Sequence, residues 1–362
     1  MENQFASLGK VALVLFILLA VCLLLYCGAT ILMPLFFAVL LSILLNPAVN
    51  FLQAKNIPRT LAVFLVLIIS LTIVTCLCLF LFYQLTRFSE FMPQLKIQLD
   101  IAIKKFLYWL SLKSNISYLV LVKKAGQLLT DTSKNLSGIL GTTLSTVTSV
   151  LVLLFLIPIY TFMFLFYKPL LLKFISSIFE VDKHERISNI LSKSKLVIQN
   201  YLNGLIIESA IVSVLNSVGL YIIGMKFAIL FGIIGGLLNI IPYVGGMIAV
   251  VLMMTVALAT LSAKAALWVL VWFIIVQFID NNVLMHYIVS SKVKINALAS
   301  IIAVLAGGAL CGVGGMFLAI PAVAFFKIIF DHIDTLKPYG ILLGDDMPSQ
   351  NISFFRSRKN DY

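Results

Sequence analysis

Long apolar runs joined by short polar stretches dominate this chain. Residues 11–28, 61–83, 147–167, 202–223, 246–261 and 265–287 are each apolar over a length close to the roughly 20 residues a helix needs to cross about 30 Å of hydrocarbon. Residues 30–45 form another such run, interrupted by Pro34 and expected to close at Asn46-Pro47. Two further runs break the pattern of plain spans. Residues 227–242 are short and Gly-rich and end at Pro242, which predicts a re-entrant half-helix. Residues 297–330 are long and broken by glycines. The expectation is an all-α, polytopic membrane protein with about eight transmembrane helices.

Between the third and fourth spans the pattern changes. Phe88, Phe91, Leu95, Leu99, Ala102 and Phe106 recur every three or four positions among scattered lysines, as in an amphipathic helix. This stretch could lie on the membrane surface or pack as a small extramembrane domain. The chain therefore divides into N-terminal spans (1–83), a helical extramembrane insert (84–146), a C-terminal membrane core (147–330) and a polar tail (331–362).

Composition agrees. Hydrophobic residues make up 62% and charged residues 11% of 362, against about 45–50% and about 25% in soluble domains. The formal net charge of +12 would raise nucleic acid as a partner of a soluble protein. Here the basic residues lie at segment ends and in two polar stretches, which reads as loop charge set against anionic lipid, with no nucleic-acid partner. Lys55 and Arg59 on one side of the third span, and the basic stretch 168–195 after the fourth, then agree on a cytoplasmic side. The insert is external, and both termini are cytoplasmic, in a bacterial inner membrane. The five cysteines have no CxxC spacing and read as small apolar side chains. The first apolar run is long for a signal peptide and lacks a small-residue cleavage site, so it reads as a retained span.

No phosphate-binding loop, metal-protease motif, nucleophile elbow or dinucleotide fingerprint occurs, so no cofactor, no metal and no enzymatic activity are expected. Active transport, if present, would be driven by an ion gradient. The candidate chemistry lies inside the spans. Glu208 shares a face with Ser209, Ser213 and Asn216. A carboxylate in a span is costly and marks a functional site by default; the alternative is a side chain reaching for the nearby interface. Gln277, Asp280 and Asn281 share another face, which suits cation binding or proton exchange as well as an interhelical clamp. Two glycine clusters are candidates for helix breaks or gates around a midplane site. The first comprises Gly235, Gly236, Pro242, Tyr243, Gly245 and Gly246, with Asn239 among them expected on the ion pathway, and the second Gly307, Gly308, Gly312, Gly314, Gly315 and Pro321. The competing reading is close helix packing through small residues.

Several stretches resemble the autoinducer-2 exporter family of bacterial membrane proteins. They are Tyr201-Leu202-Asn203-Gly204, Gly224-Met225-Lys226-Phe227-Ala228, Asn239-Ile240-Ile241-Pro242-Tyr243-Val244-Gly245, residues 277–282, the Gly307-to-Met316 run leading into Ala319-Ile320-Pro321, and Leu342-Leu343-Gly344-Asp345. The resemblance implies about eight spans, an insert after the third, cytoplasmic termini and a homo-oligomer. It also implies export of a small signal molecule, or sodium (lithium)/proton antiport. Pro242, Tyr243, Gly245, Asp280, Asn281, Gly308, Gly312, Gly315 and Pro321 fall at its recurrent positions. Many members carry proline where this chain has Gly246. The expected partners are membrane lipids, a small-molecule or ion substrate, and further copies of the chain. A membrane scaffold acting through the insert is the contrasting reading.

Overall fold

The computed structural model describes residues 2–114, 117–123, 143–242, 244–284 and 295–345. In chain order the main helices are α1 (Glu2–Cys27), α2 (Ala29–Ala54), α3 (Arg59–Ser114), α4 (Thr143–Phe166), α5 (Lys168–Ile178), α6 (His184–Ile223), α7 (Ala228–Asn239), α8 (Val244–Thr260), α9 (Ala263–Ile279), α10 (Ala297–His332) and α11 (Lys337–Leu343). The described residues contain no strand. Five of these helices are long and apolar enough to cross a membrane, and a sixth crossing is possible if the bent α4–α5 pair is one span. The protein is an all-α polytopic membrane protein.

The central element is α6, which packs against α2, α7, α9 and α10. Its face carries Ile198, Tyr201, Leu202 and Leu205 against Leu40, Ile43 and Leu44 of α2 and Phe317, Leu318 and Ile320 of α10. The opposite apolar surfaces are bare, as at Val214, Val218, Tyr221 and Ile222, because lipid tails solvate them as well as protein would.

One expected helix end moved, and one change of composition proved to lie inside a continuous helix. Asn46-Pro47 does not close α2, which continues to Ala54 with both Pro34 and Pro47 inside. In membrane helices neighbouring groups re-satisfy what proline frees. Similarly, the change of composition at Gln84 makes no break in α3. Its 56 residues rise about 84 Å at 1.5 Å each, over twice the hydrocarbon thickness. Beyond the span Phe88 and Leu95 are buried against Met225, Phe231, Ala259 and Ala266. Phe88 meets Phe227 and Phe231 edge-on at 5.4 and 5.3 Å, a favoured aromatic geometry. Residues 124–142 of the insert and the tail from 346 lie outside the described residues.

The long glycine-rich element α10 doubles back. Cys311 (φ −134°, ψ 19°) and Gly312 (φ 62°, ψ −152°) leave helical geometry. A Cβ on Gly307 would strike the Gly315 carbonyl, and one on Gly315 the Gly307 carbonyl. In an unbroken helix, positions eight apart lie about 12 Å apart along the axis, so these contacts require a hairpin turning at Gly312. The open end agrees: Asn296 donates from Nδ2 to the carbonyls of Leu342 (2.6 Å) and Gly344 (3.0 Å), joining the residues before and after α10. Pro321 breaks nothing; it is buried inside the second arm.

Candidate functional site

The site forms where α6, the end of α7 and the end of α9 meet. Glu208 is 6% exposed and Asp280 4%, so Glu208 does not reach for the interface. Between them stands Asn239, the last residue of α7. Its Nδ2 donates to Glu208 Oε1 at 3.3 Å and to Asp280 Oδ2 at 2.9 Å. Gln277 Nε2 donates to the same Asp280 oxygen at 3.4 Å. Glu208 Oε2 and Asp280 Oδ1 are buried with no hydrogen-bond partner among the described residues. Two buried carboxylates joined by one amide cannot both remain bare anions in a low-dielectric interior; they need a proton or a cation.

Local sequence explains how the groups converge. Met225 N–H bonds back to the Leu220 carbonyl across Gly224, a left-handed helix cap at φ 91°. Three residues later α7 starts and runs back along α6. Gly232 lies against Ser217, Gly236 against Ser213 and the Ser209 carbonyl, and Gly235 beside Met253 and Asn216, with no room for side chains. Ser209 Oγ donates to the Gly236 carbonyl at 2.8 Å. This close pairing brings Asn239, one turn on, to Glu208. On α9, residues 280–284 wind as a π-turn, a distortion frequent at functional sites. At Gly246 a Cβ would come to 3.4 Å from Gln277 Oε1 and 3.8 Å from Asn239 Oδ1, so this glycine leaves space beside the cluster.

The predicted residues therefore separate. Glu208, Asn239, Gln277 and Asp280 come together, and Gly246 borders them. Ser209, Ser213, Asn216, Gly235 and Gly236 join α6 to α7 around the site. Gly245 packs against the Leu238 carbonyl in the turn that Pro242 precedes; Tyr243 lies outside the described residues. Asn281 is exposed and is not part of the cluster. Gly307, Gly308, Gly312, Gly314 and Gly315 shape the α10 hairpin, with Gly308 against Met316 and Gly314 against Met33 and Phe37. Sequence reasoning passed over Trp272, whose Nε1 donates to the Leu215 carbonyl at 3.1 Å and whose indole fills the space over Gly219. A tryptophan in a span carries no signal separating this role from lipid contact. Among the described residues no group of three or more His, Cys, Asp or Glu could hold a metal ion.

The sequence profile of the AI-2E family transporters matches residues 14–335. The chain belongs to the AI-2E transporter family. It is similar at 25% identity over 319 residues to YueF of Bacillus subtilis (84% of this chain, 85% of that one), and at 24% over 335 residues to a protein of Borreliella burgdorferi (91% and 88%). A match to YrrI of Bacillus subtilis is stronger, 35% identical, but spans 133 residues, or 37% of either chain. Each of these carries the name "Putative transport protein". Family and fold together make this a multi-pass bacterial membrane protein of a transporter family.

Proposed function

We propose that the protein is an ion-gradient-driven secondary transporter that moves a small polar solute or signal molecule out of the cell, with Glu208 and Asp280 carrying the coupling proton or cation. The observation behind this is the pair of buried carboxyls that Asn239 bridges, with no Lys, Arg or His paired to either among the described residues. A structural clamp has no need of two acids side by side in a buried site. Asn239 ties the pair to the tip of α7, so adding or removing a proton changes the attraction between that tip and its two neighbours. Such a link can pass ion occupancy into helix movement. The basic ends of α2–α3 and α4–α6 would face the cytoplasm of a bacterial inner membrane, with both termini on that side and the far half of α3 outside. Assembly with further copies fits the bare apolar surfaces as well as lipid does.

Sodium (or lithium)/proton antiport is the second reading. It is favoured by the oxygen-rich character of the cluster, in which Asn239 Oδ1 and Gln277 Oε1 flank the space at Gly246; small hard cations take oxygen ligands. The test is proton flux in inside-out vesicles holding an acid-inside gradient, to which Na⁺ or Li⁺ is added. Wild type should dissipate the gradient, while Glu208→Gln and Asp280→Asn should lose at least tenfold in rate, about 1.4 kcal/mol of barrier. An inert wild type removes the antiport reading and leaves solute export, tested next with autoinducer-2. If both variants export that solute as wild type does, the coupling role of the two acids fails; if wild type exports nothing, a scaffold acting through the insert gains ground.

A further inference from the structure

A second polar cluster lies away from the carboxylates, at the end of the bundle where α2, α3, α4, α5 and α6 approach one another. Lys168, the first residue of α5, donates from Nζ to Asn46 Oδ1 at 2.9 Å. Arg59, opening α3, donates from Nε and Nη2 to the Leu165 carbonyl at 3.2 and 2.5 Å. Burial, then repulsion from Lys195 and Arg59, pulls the Lys168 ammonium below the usual lysine value, so three cations share this corner. None of them belongs to an ion pair among the described residues. No Asp or Glu occurs anywhere in α2, α4 or α5 to balance them.

Asn46 adds an unused donor. It is 5% exposed. Its oxygen must face Lys168, because an ammonium only donates, and its Nδ2 then has no partner. Uncompensated cations around an idle buried donor suit an anion with several oxygens.

The neighbouring helix indicates where that anion comes from. α5 bends 64° from α4 and has no buried residue. Leu170, Leu171, Phe174 and Ile178 lie on one side and are 40–61% exposed, while Lys173 and Ser176 lie on the other and Lys168 opens the helix at its edge. An amphipathic helix turned away from a span, apolar face bare, is built to lie in the membrane interface. The phosphate of a lipid would then sit level with Lys168 and its acyl chains against the leucines.

We propose that Lys168, Arg59, Lys195 and Asn46 form a binding site for the phosphate of an anionic phospholipid, with α5 lying in the interface as its apolar wall. This assignment is independent of what the protein transports. Native mass spectrometry of the detergent-solubilised protein would count bound lipid after titration with phosphatidylglycerol or phosphatidylcholine. Wild type should retain phosphatidylglycerol preferentially. Lys168→Gln and Lys195→Gln should each cut that preference about fivefold, near the roughly 1 kcal/mol expected of one basic residue at a lipid surface. Lys173→Gln, on the same helix but outside the cluster, should change it less than twofold. Equal retention of both lipids by wild type, or equal losses in all three variants, would overturn the site. Displacement of phosphatidylglycerol by millimolar inorganic phosphate at constant ionic strength would overturn the lipid source. Circular dichroism of each variant separates lost binding from lost fold.

Discussion

At Gly232, Gly235 and Gly236 the helix runs on unbroken, and the missing side chains serve its neighbour: Ser217, Ser213 and the Ser209 carbonyl occupy the space. At Gly307–Gly315 the backbone itself turns, through φ 62° at Gly312, and the glycines on either arm touch each other. Both clusters are strings of small residues near a proline, and neither pattern says which role applies. A glycine used for contact is tested by adding bulk, whereas one used for conformation is tested by adding a Cβ where space is free. The two kinds of substitution should therefore fail for different reasons.

Gly236→Ala should cost most. Its Cβ meets Ser213 and the Ser209 carbonyl, and since backbone cannot yield, a loss of about 3 kcal/mol is expected, the upper end for overpacking. Thermal unfolding of the purified protein in detergent measures it. Adding Ser213→Ala should recover only part, because the Ser209 carbonyl stays. Proton flux should fall as well, because the displaced α7 carries Asn239.

Gly312→Ala comes next, at about 2 kcal/mol. No atom lies within 4 Å of the added Cβ, so the whole cost is that of a backbone region essentially reserved for glycine. Ser213→Ala should recover none of it. A larger loss here than at Gly236 would invert the comparison.

Gly235→Ala should cost under about 1 kcal/mol, although it sits in the same cluster as Gly236. The atoms its Cβ meets are the methyl end of Met253 and, less closely, the Asn216 amide; both are side-chain ends, and the Met253 methyl can swing aside. The contrast between adjacent glycines is the sharpest check that contact, and not glycine content, governs this helix.

The smallest effect concerns the open end of the α10 hairpin. Lys337 and Arg186 hold the exposed Asp334 carboxyl below the usual range. A lowered value stabilises the folded state fully above the ordinary value near 3.9, and that contribution is lost as pH falls through the lowered one. Hydrogen exchange in residues 334–343 should therefore quicken below about pH 4, while α6 stays protected. Exposure keeps the effect slight.

The sequence by itself determined that the chain is a helical membrane protein, since an apolar run of some 20 residues has no other use. It also marked Glu208 and Asp280, because a carboxylate in a span needs a reason. Gln277 was legible as a polar neighbour of Asp280, but Asn239 was not legible as the bridge between the acids, which depends on α7 folding back along α6. Asn281 follows Asp280 yet is exposed, because successive helical residues point about 100° apart, and only the packing shows which of the two faces α6. The hairpin in α10 was equally hidden: hydropathy is a sum along the chain and is blind to reversal. The corner of Arg59, Lys168, Lys195 and Asn46 draws on residues up to 149 positions apart in the chain. Positive charge at span ends reads as topology, and only tertiary packing decided that three of those charges meet without an acid.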